Sequence, residues 1–368
     1  MRLTIPQPKL LKTLQTVERA VNDRSTLPIL ANVLLEARGD ELTLTATDLD
    51  VGIQCRFPLA APVEQGAVAL PARKLTTVVR ELPDELVTLE AKKNHTATVN
   101  CGSSAFRIPG LPAEDFPALP LAGEGEGITL SQEGLRAAIA RTGHAMSIEE
   151  TRFILNGALF MTQKNDLVIV ATDGRRLAVA HTPLARPPKQ SVRAIIPSKT
   201  VRELGRLLQQ DDEADDVTIT PLKDNQVAFR FGPVSMVTRL IEGEFPQFEK
   251  VIPPPAKHAF SCDRQLLMNA VRRASLMTTA TSQAVLFELG ASRMVVSKES
   301  AELGSAREEL PAAYNGEPLT IAFNPEFWLD ALKALDGEEV AAEIAGPDRP
   351  AVIRLPDFIY LVLPMKVA

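Results

Sequence analysis

Apolar positions along this chain fall into two rhythms that recur three times. Spacings of three and four at Leu10, Leu14, Val17 and Val21 predict an amphipathic helix. Leu135, Ala138, Ile139 and Met146, and then Leu266, Leu267, Ala270 and Val271, repeat it. Each helix is followed by strand-like stretches: 29–36 with 42–47, 153–161 with 167–172, and 284–289 with 294–297. A second helix then starts after Pro71, after Pro197 and at Asn324-Pro325, covering 73–82, 198–209 and 324–335. Short strands close each unit, and the first two end in Phe116-Pro117 and Phe245-Pro246. The phrase Ala46-Thr47-Asp48 returns 125 positions later as Ala171-Thr172-Asp173, and Pro71 returns 126 later as Pro197. The register of a threefold repeat therefore holds across 368 residues, a pattern that fits a symmetric object better than one catalytic cleft.

Boundaries are expected where composition breaks both rhythms. The alternating Gly and Glu of 121–127 and the run Pro253-Pro254-Pro255 do so. The expected domains are 1–123, 124–254 and 255–368, each of ordinary single-core size. Two helices and about eight short strands per unit predict an α+β fold with helices on one side of antiparallel sheet.

Hydrophobic residues are 45% of the chain, enough for real cores. Residues 1–11 carry charges and no apolar run of export or membrane length, so a soluble, cytoplasmic protein with no membrane partner is expected. Cys55, Cys101 and Cys262 are odd in number and scattered, which argues against a disulfide framework. Together with His95, His144, His181 and His258 they fit no zinc spacing, so no metal or cofactor is expected. Asn94-His95-Thr96 matches a glycosylation acceptor only by chance without a secretory signal.

A net charge of −6 would ordinarily argue against nucleic acid, but its distribution argues for it. The six predicted helices (9–21, 72–82, 131–146, 198–209, 263–277, 324–335) hold fifteen Lys and Arg against seven acids, a sum of +8 that leaves −14 elsewhere. At about 100° per residue, Lys199, Arg202 and Arg206 fall within roughly 60° of each other, opposite Val201, Leu204, Leu207 and Leu208. Lys9, Lys12 and Arg19 oppose Leu10, Leu14, Val17 and Val21 in the same way. The Debye length of about 8 Å is shorter than the roughly 13 Å radius of such a domain. Acid on the sheet side could not cancel base on the helix side.

Catalytic signatures are missing: the chain has no phosphate-cradling loop with Lys, no G-x-S-x-G, no H-E-x-x-H and no G-x-G-x-x-G. Asp48 and Asp173 could be a proton-sharing carboxylate pair, but an Asp ending a strand more often caps a turn.

At this point a family resemblance is carried by specific stretches. They are residues 24–32 (RSTLPILAN), 45–49 (TATDL), 70–74 (LPARK), 111–117 (LPAEDFP), 171–178 (ATDGRRLA), 243–246 (GEFP) and 363–366 (LPMK). In this order and spacing the chain resembles, end to end, the bacterial DNA polymerase III beta subunit, the replicative sliding clamp. The resemblance implies a head-to-tail homodimer whose six domains close a ring around duplex DNA, helices lining the hole and sheets outside. It implies a processivity factor without catalysis, held on DNA by topology and sequence-independent phosphate contacts. Arg24, Arg73, Lys199 and Arg206 match DNA-facing positions, and Arg202 is added from its helical face.

It also implies a groove for a short linear motif, often built around Gln-Leu and a terminal Leu-Phe. The motif comes from the polymerase III alpha subunit, the clamp loader and other replication and repair proteins. Matching positions are Leu155, Thr172, Gly174, Arg175, Arg176, Leu177, Pro246, Val251, Pro350, Val362, Leu363, Pro364 and Met365. Burying two anchor side chains gives roughly 3–6 kcal/mol before ordering costs, hence affinity on the order of micromolar or weaker. At the implied subunit interface stand Phe106 and Ile108, facing Leu276 and Met277, with Lys74 and Arg107 toward Glu308 and Glu309. Some members have His in place of Arg175. Two other readings remain open: a clamp paralogue serving inhibitor resistance or repair, and a repeat scaffold with no DNA role.

Overall fold

The computed structural model describes residues 1–368 apart from 23–24, 60–63, 121–126, 189, 209–215 and 367–368, with the backbone alone of Glu150. Arg24 and most of the expected first boundary lie outside the described residues. The chain forms two compact units, Met1–Glu133 with Ala185–Gln190 and Glu203–Leu240, and Gly134–Leu184 with Ser191–Arg202 and Ile241–Ala368.

The first unit holds an eight-stranded antiparallel sheet. Its order is Gly66–Pro71, Asn32–Arg38, Glu41–Thr47, Val51–Pro58, Val234–Arg239, Gln226–Phe231, Asp216–Leu222 and Ile128–Ser131. Four strands come from the first repeat and four from the second. They join where Val51–Pro58 pairs with Val234–Arg239, placing Gly52 opposite Val237. A four-stranded sheet follows the order Arg2–Pro6, Leu86–Ala91, Thr96–Cys101 and Ser104–Pro109, so that Ser104–Pro109 is an edge strand. Helix α1 (Gln7–Val17) packs on helix α2 (Ala72–Arg80), burying Leu10, Leu14 and Val17 as their spacing requires. The Gln7 side-chain amide donates to the Val79 carbonyl at 2.6 Å, fastening the two helices.

Helices α3 (Gln132–Thr142) and α4 (Ser198–Leu207) lie at the divisions between the units in sequence. The second unit repeats the architecture. A nine-stranded sheet joins second- and third-repeat strands where Arg176–Pro183 pairs with Phe358–Val362, placing Leu177 opposite Leu361. A four-stranded sheet ends on the edge strand Gly304–Pro311. Helices α5 (Arg264–Ser275) and α6 (Pro325–Ala334) pack together. Each has a side-chain cap, Asp263 accepting from the Leu266 amide and Asn324 from the Glu326 amide. Trp328 of α6 is fully buried, with the rings of Phe260, Phe287 and Phe323 at 5.9, 5.2 and 5.4 Å.

The predicted elements all occur, with edges that moved. The first helix ends at Val17, not 21, and Glu18–Ala20 tighten into a 3₁₀ turn. The third ends at Thr142, whose hydroxyl bonds back to the Ala138 carbonyl, followed by a turn at Gly143–Ala145. The strand predicted from 153 starts at Gly157, because Glu150–Leu155 form a 3₁₀ turn whose Leu155 carbonyl accepts from the Ser147 amide.

Removing the Trp328 ring leaves a large void among three other aromatic rings. We expect Trp328→Ala to cost about 3–5 kcal/mol, read as an earlier midpoint in urea unfolding followed by circular dichroism. An unchanged midpoint would contradict this packing.

Candidate functional site: a leucine-lined notch, basic helix faces and open sheet edges

The site begins with a turn that the sequence encodes twice. Between Asp166–Thr172 and Arg176–Pro183, the Asp173 carboxylate accepts from the amides of Arg175 and Arg176 at 2.8 and 3.0 Å. The Thr172 hydroxyl accepts from the Gly174 amide at 3.0 Å and donates to the Arg176 carbonyl at 2.5 Å. Gly174 has φ +86°, a conformation that favours glycine, and a Cβ there would lie 2.6 Å from Arg152 Nη1, so the end of that side chain would have to shift. The same Arg152 nitrogen donates to the Asp173 carbonyl at 2.6 Å. Asp48 makes the equivalent turn, accepting from the amides of Asp50 and Val51 at 3.0 and 2.7 Å. Each carboxylate therefore serves its own turn, as expected of an Asp that ends a strand.

Past this turn the second unit opens a notch of about 230 Å³. Of the residues named from sequence, Leu155, Thr172, Gly174, Arg175, Arg176, Leu177, Pro246, Val251 and Leu363 line it. Leu177, with Phe248, belongs to the core beneath, while Val251 and Leu363 stand 59% and 41% exposed on the rim. The end of the chain is fastened here: the Leu363 amide donates to the Arg175 carbonyl at 2.9 Å and the Met365 amide to the Ala322 carbonyl at 2.8 Å.

Four named residues do not line the notch. Val362 is buried in the strand Phe358–Val362, and side chains alternate along a strand, so Leu361 and Leu363 face the notch and Val362 turns away. Pro350 precedes the neighbouring strand Ala351–Leu355, and Pro364 and Met365 run on beyond the rim. Gln247, Phe248 and Leu361 do line it and were not named. The period of two back from Leu363 was the signal for Leu361; Phe248 carried none beyond following Pro246.

Arg176 lines the notch, but its guanidinium is committed to other partners. Its guanidinium is held away by Asp173 at 3.0 Å and Asp330 at 2.8 Å, and it lies 4.4 Å over the Phe327 ring. Arg175 is open to solvent, with Glu149 4.0 Å away. Behind Arg176, the Tyr360 hydroxyl donates to the Phe327 carbonyl at 2.8 Å, and the His144 ring lies 5.5 Å from the Tyr360 ring. Burial, and then the Arg176 charge, lowers His144 from 6.5 to about 4, while burial raises the Tyr360 phenol. His144 Nε2 is buried with no hydrogen-bond partner among the described residues.

Comparison with known proteins decides the family. The family model "DNA polymerase III beta subunit, N-terminal domain" matches residues 1–120, the central-domain model residues 129–247 and the C-terminal-domain model residues 249–366. The beta sliding clamps of Pseudomonas putida and Chlamydia muridarum are 34% and 32% identical. These matches cover 100% of this chain and 100% and 99% of those proteins. Crystal structures of the DNA polymerase III subunit beta from Pseudomonas aeruginosa and the DNA polymerase sliding clamp from Bacillus subtilis match with TM-scores of 0.91 and 0.93. They are 33% and 31% identical, with full coverage of both chains. This chain belongs to the DNA polymerase III beta-subunit family. It has the three clamp domains and antiparallel sheets of that family, which is that of a non-catalytic processivity subunit.

In this clamp-family chain the basic helix faces are where their periodicity put them. Lys199, Arg202 and Arg206 of α4 are exposed, while Val201, Leu204, Leu207 and Leu208 are buried. Arg202 donates to the Ser198 hydroxyl at 3.1 Å, and Arg206 pairs with Glu203 at 2.6 Å. Glu203 also takes Arg19 at 3.2 Å. Arg73 and Lys74 of α2 are exposed.

Of the eight residues expected at a clamp dimer interface, five lie on the two edge strands, Lys74 lies on α2, and Leu276 and Met277 follow α5. Phe106 and Arg107 are exposed on Ser104–Pro109, and Leu276 is 67% exposed just past α5, beside the half-buried Met277. Ile108 differs from expectation: it faces inward, 3% exposed, opposite Ala97. Glu308 pairs with Arg273 of its own chain, and Glu309 with Arg293 and Arg307 at 3.2 and 3.1 Å. Both acids expected to await Lys74 and Arg107 thus have partners within the chain. Among the described residues no helix is long and apolar enough to cross a membrane, and no three His, Cys, Asp or Glu groups could hold a metal ion.

His144 gives a pH dependence with a definite sign. Its folded value lies below its unfolded one, so the stability it contributes is present above pH 6.5 and is lost as pH falls toward 4. The loss amounts to about 3 kcal/mol at full extent. We expect His144→Gln to flatten the urea-unfolding free energy between pH 6.5 and 4 relative to the parent. Parallel pH profiles would contradict the buried neutral imidazole.

Proposed function

We propose that two copies of this chain close head to tail into a ring around duplex DNA. This sliding clamp tethers the DNA polymerase III alpha subunit, the clamp loader and other motif-bearing replication and repair proteins. One observation carries the ring. Within the chain, first-repeat strands join second-repeat strands in one continuous sheet, and second join third in another. The third repeat ends on Gly304–Pro311 and the first on Ser104–Pro109, each four strands deep with an open edge. Pairing these edges between copies would build an eight-stranded sheet of the kind already formed inside the chain. Edge strands are seldom left bare, and a heterologous contact that repeats and closes makes a ring. Phe106 meeting Leu276 and Met277 supplies an apolar seam, with Lys74, Arg107 and the Glu308-Glu309 stretch on its rim. The domains of this ring are 1–123, 124–254 and 255–368.

Arg24 and the helices carrying Arg73, Lys199, Arg202 and Arg206 would face the hole and touch phosphates without reading bases, so the clamp slides. No chemistry is assigned to the chain, which acts in the cytoplasm, and energy for opening comes from the loader. The notch takes the client motif: Leu177, Leu361 and Phe248 form its floor, and Val251 and Leu363 close over an inserted Leu or Phe.

Two variants test these roles separately. Lys199→Glu with Arg206→Glu should shorten retention on nicked circular DNA by roughly ten-fold, with a weaker salt dependence, while leaving peptide binding intact. Leu363→Asp should weaken binding of a client peptide by at least about ten-fold, or 1.4 kcal/mol, while leaving retention intact. Unchanged retention in the first, or unchanged affinity in the second, would refute the corresponding assignment.

A further inference from the structure

The first unit contains the same notch at the preceding repeat junction, and it is not empty. Thr47, Asp50, Thr238 and Arg239 rim a cleft of about 120 Å³, half the size of its counterpart. The correspondence is close in backbone terms. Leu49 sits at φ +78° where Gly174 sits at φ +86°. The Thr47 hydroxyl accepts from the Leu49 amide at 3.0 Å and donates to the Val51 carbonyl at 3.0 Å, as Thr172 does for Gly174 and Arg176. The Arg239 amide donates to the Asp50 carbonyl at 2.9 Å, as the Leu363 amide does to Arg175. Gly52 lies opposite Val237 as Leu177 lies opposite Leu361.

Two changes separate the notches, and they fit each other. Where the second notch has the side chain of Leu177, the first has Gly52, and a Cβ built there would overlap Leu119 Cδ2. After Phe245-Pro246 the chain winds into the 3₁₀ turn Phe248–Val251, which buries Phe248 in the core. After Phe116-Pro117 residues 117–120 make no helical turn, and Leu119 drops into the cleft over Gly52. A leucine side chain thus occupies a site built from the same turn, seam and register as the proposed client notch.

We propose that the first junction is a second copy of the client notch, with a leucine-type ligand of its own, and that Leu119 of the same chain is its resident occupant. Its chemistry is that of an aliphatic side chain held over bare glycine backbone, ringed by the polar groups of Thr47, Asp50, Thr238 and Arg239. On this reading the plug leaves the second notch as the one open to partners. It rests on the reading of the second notch as the client site.

Calorimetric titration of the full-length protein with a synthetic peptide ending in Leu-Phe tests this. The parent should bind one peptide per chain and Leu363→Asp none. Leu119→Ala should bind two, and Leu119→Ala with Leu363→Asp should bind one. Leu119→Ser serves as a second variant, and thermal melts establish that each remains folded. One peptide per chain in both Leu119 variants, or none in the Leu119→Ala, Leu363→Asp double variant, would overturn the plug. No binding to the parent would instead overturn the client reading, and the plug with it.

Discussion

Pairing of sheet edges is the constraint on which the rest of this structure depends. Backbone groups left open on a strand must find partners, and this chain satisfies them by running sheets from one repeat into the next. Val51–Pro58 against Val234–Arg239, and Arg176–Pro183 against Phe358–Val362, do this inside single units. Both notches lie along these seams, because the turn entering each seam strand is where the repeat exposes backbone. The proposed ring extends the same rule outward, pairing Ser104–Pro109 with Gly304–Pro311 of a second copy.

A shared scaffold also explains how one repeat can be specialised without being rebuilt. Thr-Asp turns at 47–48 and 172–173 use the same hydrogen bonds, so the floor residue that follows can change alone. Leucine at 177 makes a floor, whereas glycine at 52 makes a socket. Behind the second notch, Arg176 is shared between Asp173 and Asp330, with His144 kept neutral beside it. That arrangement fixes the strand end from behind and leaves the apolar side free.

Much of this was legible in the sequence because it follows from periodicity. The six helices, their buried stripes and the basic face of α4 are consequences of spacing, and the threefold repeat gave the α+β architecture. Nine of the thirteen notch residues, named from the family resemblance rather than from periodicity, line the notch. What the sequence hid was orientation. Val362 and Ile108 are apolar and adjacent to the right residues, but strand alternation turns both inward. Charge pairing was hidden as well: nothing in the spacing of Arg273 and Glu308, or of Arg293 and Glu309, reveals that helix-on-strand packing joins the first pair and a strand register the second. Leu119 was invisible because its importance comes from a missing side chain on another strand.

The central claim is that the third seam forms between two chains. Sedimentation equilibrium at micromolar concentration tests it most directly. The account expects a species of twice the 39.9 kDa chain mass, reduced to single chains when Arg107→Pro removes a backbone donor from the open edge. A parent protein that stays at the mass of one chain would contradict it.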